Sequence, residues 1–171
     1  MSRTSPRIGS SLKPMEIVGL PLHPLVVHAA VVLIPTTAAL GILFAVLPRW
    51  RWLTRWPVAA MAVLSVGIAF IATRSGKALL EARPALKEVV ETHEERGELL
   101  LLLTIGLAVV VLVSAFLLPG PTALASGKGE RASRAAVADK VLPVLLVVAA
   151  LVVLAQAVLT GDSGSRAVWG S

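Results

Sequence analysis

The sequence predicts an all-α integral membrane protein: a four-helix bundle with a partly helical amphipathic connector between the second and third spans. Hydrophobic residues make up 56% of the 171 residues and only 15% are charged, whereas soluble domains are nearer a quarter charged. A soluble chain of this length cannot bury so much apolar surface. Four apolar runs each approach the roughly 20 residues that a helix needs to cross a bilayer.

Composition also excludes several classes of function. The chain has no cysteine, which excludes disulfides, thiolate metal sites and covalently attached c-type haem. Its formal net charge is +6, but the basic residues lie between the apolar runs, where they meet anionic lipid headgroups. With no tyrosine and three phenylalanines, the chain lacks an aromatic, basic surface for stacking bases. The lipid bilayer is therefore the expected partner, and no nucleic acid is expected.

The apolar runs divide the chain into a polar leader and one membrane domain. Pro24 suits the first helical turn, where its missing N–H costs nothing, and Pro35 predicts a kink that neighbouring helices can accommodate. The basic, Trp-rich segment 48–56 is typical of a loop at headgroup level. The predicted boundaries are a disordered leader over 1–19 and a membrane domain over 20–171, with spans at about 24–47, 57–76, 98–118 and 141–160.

The segments between the later spans are polar. Residues 74–98 are expected to be helical, with a break at Pro84 and a patchy apolar face. We interpret them as an amphipathic connector lying on the bilayer surface, in preference to a dedicated partner-binding helix. The Gly-, Ser- and Ala-rich segment 119–140 predicts a flexible loop, and 160–171 is expected to be a tail.

The distribution of basic residues bears on orientation, because Lys and Arg in short loops favour the cytoplasm. The two sides of the predicted topology carry nearly equal numbers of these residues. However, the short loop after the first span holds Arg49, Arg51 and Arg55 and no acidic residue. We therefore expect both termini on the extracytoplasmic side of the cell membrane.

An even number of crossings places all three histidines and one late acidic residue on the same side. His23 and His28 open the first span, His93 precedes the third, and Asp162 follows the fourth. An ionisable side chain within a membrane is costly and usually marks a functional site. The sequence therefore predicts a His/Asp layer at one membrane face.

His23 and His28 cannot share a helix face, because five residues correspond to roughly 140° around the axis. If His23 is an N-cap, His28 lies about one turn inside the membrane and points into the bundle, which is the arrangement we expect. The structural alternatives are a neutral His28 bonded to a helix carbonyl, an interfacial cap at His23, and a solvated His93 among glutamates.

Neutral imidazoles in a helical bundle suit two chemistries. A b-type haem needs two facing imidazoles on different helices, here His28 with His93 or His23 with His93. A divalent transition metal would take His23, His28, His93 and Asp162 as ligands. A proton relay is a third use of such residues, and Gln156 is expected to form an interhelical hydrogen bond.

Four motifs of the chain resemble those of a known family. They are Gly19-Leu-Pro-Leu-His23-Pro-Leu-Val-Val-His28 at the start, Ala72-Thr-Arg-Ser-Gly76 after the second span, His93-Glu-Glu-Arg-Gly97 before the third, and Thr160-Gly-Asp-Ser-Gly-Ser-Arg-Ala-Val-Trp169 at the end. Over about 17–170 the chain resembles the bacterial membrane proteins that carry the domain of unknown function 2231 (DUF2231). The resemblance implies a four-helix membrane domain, and because some family members adjoin redox modules it favours electron transfer.

The closing motif departs from the family pattern. Relatives usually read Gly-His-Ser-Gly where this chain has Gly161-Asp-Ser-Gly164. Aspartate can bind a hard metal or a proton but is a poor haem ligand. Haem between the remaining histidines is therefore compatible with the departure, and a ligand pair that needs Asp162 is not.

These observations predict a multi-pass membrane protein that binds b-type haem, or alternatively a divalent metal, and exchanges electrons with a redox partner protein. No nucleophile–base motif, phosphate loop or dinucleotide fingerprint indicates an enzyme. The rival interpretations are a structural or interaction subunit without a cofactor, and a small transporter or proton-conducting element. Transport is disfavoured because the four helices show no internal repeat.

Overall fold

The computed structural model describes residues 16–17, 20–118 and 132–169. It opens with a short antiparallel pairing between β1 (Glu16–Ile17) and β2 (Leu20–Pro21). Most of the predicted disordered leader, residues 1–15 and 18–19, lies outside the described residues. Residues 119–131 of the predicted flexible loop lie outside them too.

Four long helices follow, and each is long and apolar enough to cross a membrane. Each predicted span coincides with one of them, so the all-α, four-span prediction is confirmed. The helices are α1 (Leu22–Val46), α2 (Arg51–Ala82), α3 (Lys87–Leu117) and α4 (Ala132–Trp169), with 3₁₀ turns at Pro48–Trp50 and Pro84–Leu86.

The helices form a closed ring in which α1 packs on α2 and α4, and α3 packs on the same two neighbours. Helices α1 and α3 are therefore diagonal to each other. The interior is filled by fully buried apolar side chains, among them Ile34, Phe44, Val58, Leu107, Val111 and Leu146. The outer surface is also apolar, as Val32, Leu102, Phe116 and Val158 illustrate. Helices that are hydrophobic all round are typical of a bundle surrounded by lipid.

The predicted connector is helical, but it is not a separate helix on the bilayer surface. Its residues form the end of α2 and the beginning of α3, and the helical hydrogen bonding is interrupted only around Pro84, as predicted. The 32 residues of α2 correspond to about 48 Å, which exceeds the roughly 30 Å of a bilayer's hydrocarbon. The connector therefore continues the two spans instead of folding back against them.

Helix α4 is longer at both ends than the sequence predicted. Ala132–Lys140, expected to be loop, and Thr160–Trp169, expected to be tail, are both helical. The first of these segments is rich in alanine, the best helix former, and its mixed charge misled the loop prediction. Helix α2 likewise begins at Arg51 instead of residue 57.

At the end of the bundle away from the histidines, two arginines bind helix termini. Buried Arg51 donates hydrogen bonds to the carbonyl oxygens of Phe44 and Ala45, both at 3.3 Å. The Nη2 of Arg55 donates to the carbonyl of Leu118 at 2.5 Å. The last carbonyls of a helix have no partner within it, so these arginines satisfy acceptors at the ends of α1 and α3.

A candidate site formed by two histidines

His23 lies in the first turn of α1 and is turned toward the end of α2. Its Nδ1 is 3.0 Å from the carbonyl oxygen of Ala72 and 3.1 Å from Oγ of Ser75. The Ser75 hydroxyl in turn donates to the Ala72 carbonyl at 3.0 Å. The ring is half-buried between the two helices. Thus a side chain from one helix start is fixed by two oxygens from the next helix end.

His93 has the same arrangement on α3 and α4. Its Nδ1 is 3.0 Å from the carbonyl oxygen of Thr160 and 3.4 Å from Oγ of Ser163. The Ser163 hydroxyl donates to that carbonyl at 2.9 Å. His93 is also half-buried. The structure thus places both His23 and His93 at the same end of the bundle, each bonded to the adjacent helix.

These contacts define which ring nitrogen carries the proton. A carbonyl oxygen can only accept, so Nδ1 of both His23 and His93 must be the N–H donor. In the neutral imidazole, Nε2 then carries a lone pair. Among the described residues, Nε2 of neither ring has a hydrogen-bond partner. An imidazole that donates Nδ1–H to a carbonyl and offers Nε2 is the usual state of a metal-ligating histidine.

A glycine lies against each ring. A Cβ at Gly76 would be 3.1 Å from Cε1 of His23, and a Cβ at Gly164 would be 2.9 Å from Cε1 of His93. A Cβ at Gly164 would therefore displace the His93 ring, and one at Gly76 would press closely against the His23 ring. The two Ser-Gly pairs therefore act together, since the serine fixes Nδ1 and the glycine gives the ring room.

Further polar contacts join α3 to α4 beside His93. The backbone carbonyl of Arg96 accepts a hydrogen bond from Nε2 of Gln156 at 3.1 Å. The Thr160 hydroxyl lies 3.2 Å from the same carbonyl and 2.8 Å from the carbonyl of Gln156, and its single proton is shared between them. The Arg96 guanidinium donates to the carbonyl of Leu159 at 2.7 Å. Gln156 and Thr160 are buried, so the predicted interhelical hydrogen bond of Gln156 is present.

The expected orientation of the first two histidines is wrong. His28 is exposed on the outside of the bundle, where its Nδ1 is 2.6 Å from the carbonyl of Pro24 in its own helix. His23 occupies the inward position instead. The helix begins at Leu22, so His23 is inside the first turn, and the roughly 140° between the two side chains turns His28 away.

Asp162 is also directed away from the histidines. It is exposed and pairs with Arg166 one turn later, with 2.9 Å between Oδ2 and Nε. Within residues 16–17, 20–118 and 132–169, no three His, Asp or Glu side chains are grouped closely enough to hold a metal ion. The structure therefore does not gather the four predicted ligands His23, His28, His93 and Asp162.

The groups that fix the two histidines were not predicted from the sequence. These are Ser75, Ser163 and the carbonyls of Ala72 and Thr160. The sequence did contain a signal for them. The dipeptide Ser-Gly occurs at the end of the second span and again after the fourth. In each case the preceding helix of the hairpin has a histidine near its start.

The fold and the site define a class of protein: a four-span membrane protein with two immobilised imidazoles at one end of its bundle. A family model described as a predicted membrane protein, DUF2231, matches residues 19–171. The chain belongs to this family, as the four motifs indicated. No curated protein matches the chain. No solved structure matches it either.

Proposed function

We propose that this membrane protein binds one b-type haem through His23 and His93 and serves electron transfer. One observation supports the proposal above all others. Two imidazoles on diagonal helices each have Nδ1 engaged by a backbone carbonyl of the adjacent helix, which leaves both Nε2 lone pairs available. Ligation of b-type haem by two histidines requires imidazoles on different helices of a bundle.

The composition of the site favours haem over a lone divalent ion. A structural metal such as zinc takes four protein ligands, and the described residues offer two imidazoles without a third His, Asp or Glu in reach. Haem supplies four nitrogens of its own, so two imidazoles complete its coordination. The bound haem would provide one-electron chemistry, and the absence of cysteine implies that the binding is non-covalent.

The chain's own residues position the ligands. Ser75 and Ser163 and the carbonyls beside them restrict the rotation of the rings, and a hydrogen bond to Nδ1 raises the electron-donating strength of Nε2. His28 and Asp162 take no part, because one bonds its own helix and the other pairs with Arg166. The substitution of Asp162 for the usual family histidine is therefore compatible with this ligand pair.

The structural rival has an observation in its favour too. The same hydrogen bonds from His23 and His93 tie α1 to α2 and α3 to α4, so the histidines could serve only to hold a subunit together. The two functions differ in whether the protein binds haem when haem is supplied. If the two histidines are purely structural, their Nε2 atoms bind no ligand.

Absorption spectroscopy of the purified protein tests the proposal. Protein expressed with ample haem is expected to show the Soret and sharp α bands of six-coordinate, low-spin haem. His23→Ala and His93→Ala should each remove one axial ligand and abolish the low-spin spectrum. His28→Ala is the matched control, because it removes an exposed imidazole of the same helix, and it should leave the spectrum unchanged.

Two results would contradict the proposal. Wild-type protein that is folded but colourless after haem-replete expression would favour the structural rival. A spectrum lost in His28→Ala but kept in His23→Ala would show that the wrong pair has been assigned.

Orientation belongs to the same proposal, because it determines the compartment of the redox partner. The arginines of the first turn, Arg49, Arg51 and Arg55, favour that end of the bundle in the cytoplasm. The histidines and both termini then lie on the extracytoplasmic side of the cell membrane. A C-terminal reporter that is active only outside the cytoplasm should be active, and activity of a cytoplasm-specific reporter would reverse the assignment.

A further inference from the structure

The two histidine arrangements are part of a longer correspondence between the halves of the chain. Helix α1 corresponds to α3 at a constant spacing of 70 residues, and α2 corresponds to α4 at a spacing of 88. Eight pairs of identical residues stand at these spacings: His23 and His93, Leu33 and Leu103, Ala38 and Ala108, Ala45 and Ala115, Ala62 and Ala150, Ala69 and Ala157, Ser75 and Ser163, Gly76 and Gly164. Six of the eight pairs lie in the bundle interior or at the histidine site, while Leu33, Leu103 and Ala157 are half-buried.

Burial repeats at the same spacings. From Ile34 to Ala45, every buried residue of α1 has a buried counterpart in α3, although the residue types often differ. The pairs are Ile34 with Thr104, Thr37 with Leu107, Ala38 with Ala108, Gly41 with Val111, Phe44 with Ser114, and Ala45 with Ala115. In the other two helices, Val58, Ala62, Ser65 and Ser75 correspond to Leu146, Ala150, Val153 and Ser163, which are all buried.

The packing of the helices has the same symmetry. A two-fold axis along the bundle exchanges α1 with α3 and α2 with α4, and it requires α1–α4 contacts to match those between α2 and α3. Both pairs of helices pack closely, and the diagonal pair α1 and α3 has little direct contact. The two spacings differ by 18 residues because the connection from α3 to α4 has 14 residues against four between α1 and α2, and because the helix ends on either side of it are together eight residues longer.

We propose that the chain consists of two equivalent helical hairpins, α1–α2 and α3–α4, related by a pseudo-two-fold axis along the bundle, and that His23 and His93 bind opposite faces of one planar ligand on that axis. The identity of the ligand rests on the proposed function, whereas the equivalence of the hairpins does not. A planar tetrapyrrole would take one imidazole from each face, so two imidazoles related by a two-fold axis would suit it. No internal repeat among the four helices was expected from the sequence, and the correspondence of the two hairpins corrects that expectation.

A repeat of this kind does not by itself favour transport. Parallel repeats occur in transporters, where the substrate binds near the middle of the membrane at the repeat interface. Here the corresponding region is filled by a continuous cluster of buried apolar side chains, including Ala38, Val111, Leu146 and Ala150. The end of the bundle with the histidines is thus the place where the two hairpins present polar groups to a shared ligand.

Introduced cysteines test the equivalence of the hairpins without any ligand, because the chain has none of its own. The hydroxyls of Thr37 and Ser65 are 2.8 Å apart, so the variant Thr37→Cys/Ser65→Cys should form a disulfide with a membrane-permeant oxidant. The repeat predicts the same crosslink in Leu107→Cys/Val153→Cys. The control Leu107→Cys/Val152→Cys should not crosslink, because Val152 is exposed on the other face.

A crosslink in the first pair but not in Leu107→Cys/Val153→Cys would overturn the repeat. The shared ligand is tested separately by the haem content and by exchange of the axial residues. One haem per chain is expected, and His23→Met and His93→Met should both raise the midpoint potential, since Met/His ligation does so. Two haems per chain, or a change in only one variant, would overturn the shared site. Colourless protein with both crosslinks intact would refute haem binding and leave the repeat standing.

Discussion

The first hairpin is joined by one buried hydroxyl pair, Thr37 with Ser65, near the middle of its helices. The second hairpin has no polar contact at the equivalent positions, which are Leu107 and Val153, and instead concentrates its hydrogen bonds beside His93. At the positions equivalent to Arg96, Gln156 and Thr160, the first hairpin has Val26, Ile68 and Ala72. The two hairpins therefore differ in their interhelical hydrogen bonds, although the arrangement and burial pattern of their helices, here called the frame, correspond.

The comparison separates two kinds of constraint. The frame needs small or apolar residues at the buried positions, and many residue types meet that need. The histidine, the serine three residues after the accepting carbonyl, and the following glycine are the same in both hairpins. Apart from apolar residues of the frame, the identical residues are thus those that hold the imidazoles, which is the pattern expected if the rings serve the function and the other polar contacts only add stability.

The largest difference between the hairpins is expected from alanine at the two glycines. In Gly164→Ala the new Cβ would lie 2.9 Å from the His93 ring, against 3.1 Å from the His23 ring in Gly76→Ala. Overpacking of this kind typically costs about 1–3 kcal/mol, so Gly164→Ala should lose stability, and Gly76→Ala should lose less because a small shift of the His23 ring relieves its contact. Thermal unfolding in detergent, followed by the fluorescence of the four tryptophans, measures the effect.

Gly161→Ala is the matched control for this prediction. A Cβ at Gly161 meets no atom within 4 Å, and alanine is the better helix former by about 1 kcal/mol. The control should therefore be at least as stable as the wild type. If Gly164→Ala were as stable as Gly161→Ala, the close packing of the glycine against the imidazole would be disproved.

The second prediction concerns the bonds that only the second hairpin has. Gln156→Leu removes the donor from the Arg96 carbonyl, and Thr160→Val removes a hydroxyl shared between that carbonyl and the carbonyl of Gln156. Interhelical hydrogen bonds in membranes contribute about 0.6 kcal/mol on average, so Gln156→Leu should lose roughly that amount and Thr160→Val less. The two effects should not be additive, because both side chains share the Arg96 carbonyl. The same unfolding measurement detects the loss.

The first hairpin provides the control for the second prediction. Ile68→Leu lies at the position equivalent to Gln156 and changes only an apolar side chain, so it should cost little. The low-spin haem spectrum should survive in Thr160→Val, because the histidine is bound by the backbone carbonyl of that residue and not by its hydroxyl. Loss of the spectrum with normal folding would assign the Thr160 side chain to the site.

Much of this molecule could be predicted from its sequence, because the bilayer imposes strong constraints on span length and on polarity. The four spans and the common face of His23, His93 and the last helix end follow from hydropathy and from counting crossings. The helix ends were misjudged at Ala132 and Trp169, since outside the hydrocarbon neither hydropathy nor charge distinguishes a helix from a loop. Local propensity at the alanine-rich start of α4 was the better guide.

The direction of the histidines could not be predicted. His23 and His28 both stand among apolar residues, and only the starting point of α1 decides which faces inward. That choice depends on acceptors supplied by another helix, Ala72 and Ser75, at a separation of about fifty residues. The direction of Asp162 could not be predicted either. Its partner is Arg166, one turn away in the same helix, whereas the sequence suggested that Asp162 lies beside the distant histidines.

The smallest effect is expected where the first hairpin is more polar than the second. Thr37→Val leaves the buried Ser65 hydroxyl without its partner, and Ser65→Ala does the same to Thr37. Each hydroxyl can turn to a carbonyl of its own helix, as Thr36 and Thr104 already do, so each single variant should lose at most about 0.6 kcal/mol. The double variant Thr37→Val/Ser65→Ala should be nearly as stable as the wild type, since it leaves no unpaired buried group.

A double-mutant cycle on thermal or denaturant unfolding measures this difference, and the second hairpin explains the expected outcome. Leu107 and Val153 fill the equivalent positions with no hydrogen bond at all, which shows that the frame tolerates an apolar pair there. A double variant that lost clearly more than either single variant would mean that the hydroxyl pair fixes the packing of α1 on α2. The two hairpins would then need different contacts to keep the same spacing, and their equivalence would be limited to the histidine end.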